Sequence, residues 1–463
     1  MQNLAVKNYR ARALHFCFGV IYNLAFDIIT SRALGPSSIG LFQIAKSFIE
    51  VFERIKSLNF SIIATKQEGN LKLIFNTYFT LLIFQELLFV FSFCVYTFLF
   101  EEKVNYVTTL LLCSSLFGSF NTLYRCRASR DLLFYKALKW LTLFKYIIGT
   151  LVCVFITYSP SPFFLALGEL SFALLQLILF PILFKNSFSV IWEPKKIKAF
   201  LKSGLFYFIL DLAPFLTIPL VYIYVGHSFS NHHVGIAAKA LYLVGAPTFF
   251  FVYAFNSLLF NIVVKAERDG ENVDSYIKSF FQLIVLSSIV MGSIIYINSE
   301  DLIEILWGEE WEQTNSAVAW LFATCIFAPI SAVMIELLNA FHIKKRIVFI
   351  ARLSQPFLLW ATIYFTDDFN GILLGISLGY VGVTLSGLMI LWKRTKSLVD
   401  IAVQALCIGL VCFYANNYII VITGKLLACL LIIIIFITSL WFQGYRIGQL
   451  VAVMNSKNDS EMP

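Results

Sequence analysis

Gln43, Lys46, Glu50, Glu53, Arg54, Ser57 and Ser61 recur at steps of three and four within the otherwise apolar run 40–61. On a helix this spacing gathers the polar groups on one face. A charge at bilayer depth costs about 2.5–3.5 kcal/mol on insertion scales, so such a face must meet protein or water rather than lipid. The chemistry available there is recognition and ion uptake. Lysine and arginine can hold a phosphate or pyrophosphate. A carboxylate at depth, Glu50 or Glu53, can take up and release a proton or respond to sodium. The stripe thus reads as one wall of a hydrophilic path. The bland alternative is a set of paired struts, because Lys46–Glu50 and Glu50–Arg54 are both i,i+4 pairs.

Further ionisable residues lie in apolar runs: Asp27, Lys56, Glu86, Lys145, Glu169, Asp211, Lys239 and Glu336. Asp27, Asp211, Lys239 and Gln43 join the stripe as cavity-lining candidates. Glu86, Lys145, Glu169 and Glu336 read as structural or interfacial, and Lys56 as snorkelling to the surface. His227, His232 and His233 read as a solvated loop. The nine cysteines show no CxxC spacing and read as small buried thiols, so no metal site is expected. No GxxxxGK[ST] loop occurs, so transport would be of the secondary type, without a cofactor other than a coupling proton or sodium ion.

The elements that must position these groups are membrane helices. Charged residues make up 13% of the chain and apolar ones 59%, with mean hydropathy +0.81. A soluble domain carries about 25% charge. The apolar runs are long and unbroken, which points to helices rather than an outer-membrane barrel. Fourteen segments are expected: 12–33, 37–63, 73–98, 104–124, 137–158, 162–184, 202–226, 234–264, 277–298, 314–341, 346–365, 370–392, 398–419 and 422–442. With a cytoplasmic N-terminus, 27 of the 35 lysines and arginines fall on inside loops and three on outside loops. That asymmetry orients the chain with both termini inside. The net charge of +8 is therefore an orientation signal, not a nucleic-acid footprint. The basic residues before the first run, Lys7, Arg10 and Arg12, precede an uncleaved helix rather than a signal peptide. The outside stretch 299–313 reads as a short acidic loop.

The expected fold is all-α and integral to the membrane, with about 14 transmembrane helices. Two parallel, pseudo-symmetric six-helix lobes are expected, 1–185 and 202–397, joined by a cytoplasmic linker at 186–201. Two further helices (398–445) and a cytoplasmic tail (446–463) follow. The symmetry rests on an internal echo: Ile39-Gly40-Leu41 with Lys46, against Val234-Gly235-Ile236 with Lys239. Pro214, Pro219, Gly245 and Pro247 bend or break the seventh and eighth segments. Gly371, Gly375 and Gly379 form a close-packing face.

Three stretches carry a resemblance: SRALGPSSIGLFQIA (31–45), VGIAAKA (234–240) and ILWGEEWEQT (305–314). Together with length and topology they resemble the Wzx-type polysaccharide flippases of the multidrug/oligosaccharidyl-lipid/polysaccharide exporter superfamily. The resemblance implies two lobes around a central cavity lined by segments 1, 2, 7 and 8. It implies that an undecaprenyl-pyrophosphate-linked oligosaccharide, an O-antigen or related repeat unit, is flipped across the bacterial inner membrane. It implies membrane lipids and glycan-assembly proteins such as a polymerase as partners. Lys46, Arg54 and Lys239 fit the family's cationic cavity; Asp27, Glu50, Glu53 and Asp211 depart from it. A multidrug exporter and a peptidoglycan-precursor flippase of the same superfamily are the rivals. A glycan polymerase or lipid-dependent glycosyltransferase usually needs a large outside loop or an acidic motif in the first outside loop, and 32–38 has no carboxylate.

Overall fold

The computed structural model describes residues 2–57, 64, 70–99, 106–130, 135–184, 188–246, 248, 273–341 and 345–391. Among the described residues there are thirteen α-helices and no strand. They are α1 (Gln2–Ser57), α2 (Leu71–Leu99), α3 (Tyr106–Arg130), α4 (Tyr135–Tyr158), α5 (Phe163–Phe184), α6 (Pro194–Phe215), α7 (Ile218–Ser228), α8 (Asn231–Val244), α9 (Val273–Ile297), α10 (Ser299–Trp307), α11 (Thr314–Ala340), α12 (Lys345–Thr366) and α13 (Phe369–Leu391). Seven of these are long and apolar enough to cross a membrane. The segments expected at 398–419 and 422–442 lie outside the described residues, as does most of 245–264.

Several expected boundaries change. Segment 12–33 and the described part of 37–63, up to Ser57, form one helical run, α1, bent at Gly35, whose φ of 67° favours glycine. Pro36 follows and cannot donate to the helical ladder, which explains why the bend sits there. The stretch 32–38, expected as an outside loop, is this bend. The segment expected at 202–226 instead starts at Pro194 and breaks after Phe215 into α6 and α7. Pro219 stands in the first turn of α7, where its missing N–H is harmless. The histidine loop shrinks, because His227 lies in the last turn of α7 while His232 and His233 lie in the first turn of α8. The acidic loop at 299–313 is largely helical. Ser299, Ile303 and Trp307 are buried at four-residue steps along α10, with Glu300, Asp301 and Glu304 on its exposed face. A 3₁₀ turn, Glu309–Trp311, follows.

The chain forms two compact units, 1–235 and 236–463. In the first, α1 packs on α4 and α7, and α3 packs on α5. Ile74, Phe75, Leu81, Leu82, Leu123 and Phe200 form an apolar core among α2, α3 and α6. The linker is tied down rather than loose. Asn76 Nδ2 donates to Ser189 Oγ at 2.8 Å, and the Ile191 N–H donates to Thr80 Oγ1 at 2.9 Å. Gly40 and Gly235, the two echo positions, meet in this unit. A Cβ on Gly40 would run into the Asn231 carbonyl, and one on Gly235 into the Pro36 carbonyl. In the second unit α13 packs on both α11 and α12. Cβ atoms on Gly375 and Gly379 would lie 3.0 Å from the carbonyls of Leu359 and Gln355, so the expected close-packing face is used against α12. Large apolar side chains are exposed on the outside of the helices, Leu88 at 66% and Phe357 at 73%. Polar ones such as Asn76, Asn121 and Gln176 are buried. That inversion belongs to a protein bathed in lipid.

Candidate functional site

A cavity of about 450 Å³ opens inside the first unit. The second arm of α1 supplies Lys46, Glu50 and Glu53; α2 supplies Tyr78, Gln85 and Glu86. From α3 come Ser114, Ser115, Ser119, Asn121, Thr122 and Arg125, and from α5 come Glu169, Phe172 and Gln176. Three of the sequence-predicted residues, Lys46, Glu50 and Glu53, thus share one wall. Lys46 has no ion pair or hydrogen bond among the described residues, so the Lys46–Glu50 strut is not formed.

Helix α3 faces the cavity through a stripe of its own. Ser114, Gly118, Asn121, Thr122 and Arg125 recur at three- and four-residue steps, the criterion that singles out 43–61. Asn121 Nδ2 donates to the Ala173 carbonyl at 2.8 Å. One turn on, the Arg125 guanidinium donates to Gln176 Oε1 and lies 5.9 Å from the Phe180 ring centroid. These two rungs tie α3 to α5 and hold the wall in place. Ser119 and Thr122 donate to the carbonyls of Ser115 and Gly118, at 3.1 and 3.0 Å.

A second cavity of about 290 Å³ adjoins the first and shares Lys46, Glu169 and Phe172 with it. Tyr22, Asn23, Phe26, Lys145 and Gly149 line it. Lys145 Nζ donates to Asn23 Oδ1 at 3.0 Å. Glu86, Lys145 and Glu169, expected to be structural or interfacial, line these cavities.

The remaining predicted residues fall elsewhere. Asp27 and Gln43 are half-buried on α1 and line neither cavity. The side chains of Arg54 and Asp211 lie outside the described residues. Lys239 belongs to the second unit and is 5% exposed. Its ammonium lies 5.1 Å from the Trp307 ring, 5.7 Å from Trp311 and 5.7 Å from Tyr242. A cation ringed by aromatic faces is held by their quadrupoles. Two of the three resembling stretches, 234–240 and 305–314, are thereby brought into contact.

A family model described as "polysaccharide biosynthesis protein" matches residues 29–316, which include both stripes and the tryptophan cage. The chain belongs to this family. A search of functionally curated proteins returns no match. Among solved structures, this polysaccharide biosynthesis protein is similar to the lipid II flippase MurJ in an inward closed conformation. The TM-score is 0.67 at 14% identity, over 96% of this chain and 100% of that one. It is also similar to an inward-facing multidrug resistance MATE transporter of the MOP superfamily, with TM-score 0.61 at 12% identity, over 82% and 95%. The fold is thus the multi-pass membrane fold shared with these two proteins, helical throughout the described residues.

Proposed function

We propose that this protein is a secondary-type flippase for a lipid-linked oligosaccharide. Its cargo is an undecaprenyl-pyrophosphate-linked O-antigen or related repeat unit, carried from the inner to the outer face of the bacterial inner membrane. The supporting observation is the polar cavity inside a unit whose outer surface is apolar, in a member of a polysaccharide biosynthesis family. A glycan cannot cross about 30 Å of hydrocarbon without donors and acceptors along its way. Here Lys46 offers a charge to the pyrophosphate, and the carboxylates and amides offer partners to the sugars. The two lobes, 1–185 and 202–397, alternate access about the 186–201 linker. Both termini lie in the cytoplasm, and a proton or sodium ion acts at Glu50 or Glu53.

The test is transfer of a fluorescent lipid-linked repeat unit across vesicles containing the full-length protein, under an imposed ion gradient. Transfer that needs both protein and gradient supports the reading; none with any repeat unit of the host sinks it. The coverage of MurJ favours a second reading, a peptidoglycan-precursor flippase. Rescue of cells depleted of their own precursor flippase would establish that reading instead.

A further inference from the structure

The chain between α5 and α6 climbs along α2. Ser189 is bonded to Asn76, Ile191 to Thr80, and the Trp192 ring lies 5.8 Å from that of Phe84. These partners stand on successive turns of α2, so the climb covers about 12 Å. It ends where the exposed apolar band of α2 begins. Phe84, Leu87, Leu88, Val90 and Phe91 are the large apolar side chains exposed on that helix, and none precedes Phe84 among the described residues. Val190 and Trp192 join the band, 63% and 66% exposed. An exposed indole at the edge of an apolar belt belongs at the boundary between hydrocarbon and water.

The chain then turns back beside the covered part of α2. Phe200 of α6 belongs to the core cluster with Ile74, Phe75, Tyr78, Leu81 and Leu82, and Ile197 packs against it. The opposite face of α6 carries Lys195, Lys198 and Lys202 at steps of three and four, all exposed. None of the three has an ion pair or hydrogen bond among the described residues. The stretch 188–202 holds one carboxylate, Glu193, and it pairs with a fourth lysine, Lys196, at 3.4 Å. The start of α6 therefore sits on the headgroup side of Trp192 with a cationic face turned outward. Apolar anchors beside a row of lysines are the pattern of a helix that lies in the interface. Phosphate-bearing headgroups with net negative charge supply the missing counter-charge there, and zwitterionic ones carry no net charge to match it.

We propose that Lys195, Lys198 and Lys202, with Trp192 as depth anchor, form a docking surface for anionic phospholipid headgroups. The leaflet is the one on the side of this linker, cytoplasmic in the orientation argued from the basic residues. The inference is independent of the flippase reading and needs no cargo.

The full-length protein is placed in phosphatidylcholine vesicles with a trace of spin-labelled phosphatidylglycerol or spin-labelled phosphatidylcholine. Electron paramagnetic resonance reads the fraction of label held at the protein surface. Phosphatidylglycerol is expected to be held several-fold more strongly, and about 1 M salt should remove most of that preference. Lys195→Gln, Lys198→Gln and Lys202→Gln combined should remove more than half of it at low salt. Arginine at the same three positions should keep it. Neutralising Lys7, Arg10 and Arg12, an equal charge expected on the same side of the membrane, should leave most of it. No preference for phosphatidylglycerol, a preference indifferent to salt, or an equal loss in the two neutralised triples overturns the proposal. The last of these results would mean diffuse attraction to the whole basic side. Should the triple glutamine variant fail to fold, Lys198→Gln against Arg10→Gln makes the same comparison, with loss expected only in the first.

Discussion

Lys46 follows Gly40 by six residues and Lys239 follows Gly235 by four, and their surroundings differ in kind. Lys46 lines two cavities with its charge uncommitted among the described residues. Lys239 is enclosed by Tyr242, Trp307 and Trp311. Lys46→Gln should lower transfer of the lipid-linked repeat unit about tenfold or more, the scale of one charged hydrogen bond, at normal protein level. Lys46→Arg should keep most of it. At Lys239 the expected effect is on stability. Trp311→Ala, which empties a fully buried site, should cost about 3–5 kcal/mol. Lys239→Met, which keeps the volume and loses the cation, should cost about 0.5–2 kcal/mol. Apparent melting temperatures in detergent should rank the two in that order. A Lys239→Met protein of normal stability that no longer transfers glycan would return this lysine to the binding site.

At the scale of elements, the polar stripe on α1 is legible because charge interrupts an apolar run. Apart from Arg125 at its end, the matching stripe on α3 is made of Ser, Gly, Asn and Thr, which apolar helices tolerate, so it carries little signal until the two helices face each other. Glu86 and Glu169 stand alone in their segments, and only packing makes them neighbours of Lys46. The bend at Gly35 and the crossing of Gly40 with Gly235 set how the second arm of α1 enters the unit. Gly40→Leu should therefore abolish accumulation of folded protein, because a Cβ there meets backbone that cannot step aside. Gly118 is the contrasting case, with nothing within 4 Å of a Cβ. Gly118→Ala should raise helix stability by about 1 kcal/mol. Gly118→Trp should fill the cavity and stop transfer without unfolding the protein, which separates a cavity role from a structural one.

At the scale of the whole molecule, the distribution of lysine and arginine argues for one orientation in the membrane. A reporter active only outside the cytoplasmic membrane should work when inserted at 308–313 and fail at 188–193. The reverse result would invert the topology and the direction of transport with it. The alternation of lipid-exposed apolar helices with a buried polar interior belongs to the same scale. It explains why hydropathy alone is enough to place the chain in the bilayer.

Composition and run length determined that this chain is helical and membrane-embedded, because hydrocarbon admits backbone only when its hydrogen bonds close within the helix. Basic residues determined its expected orientation, and the spacing at 43–57 marked the face of α1 whose Lys46, Glu50 and Glu53 line the cavity. What the tertiary structure decided is which charges share a cavity. Among the described residues, Glu50, Glu53, Glu86, Glu169, Lys46 and Arg125 meet there only because α1, α2, α3 and α5 pack around a common space. It also decided that an acidic stretch read as loop is a helix with a buried face, since a four-residue apolar step is masked when the residues between are charged. Lys239 in its tryptophan cage depends on contacts between stretches about seventy residues apart, and no local pattern encodes them.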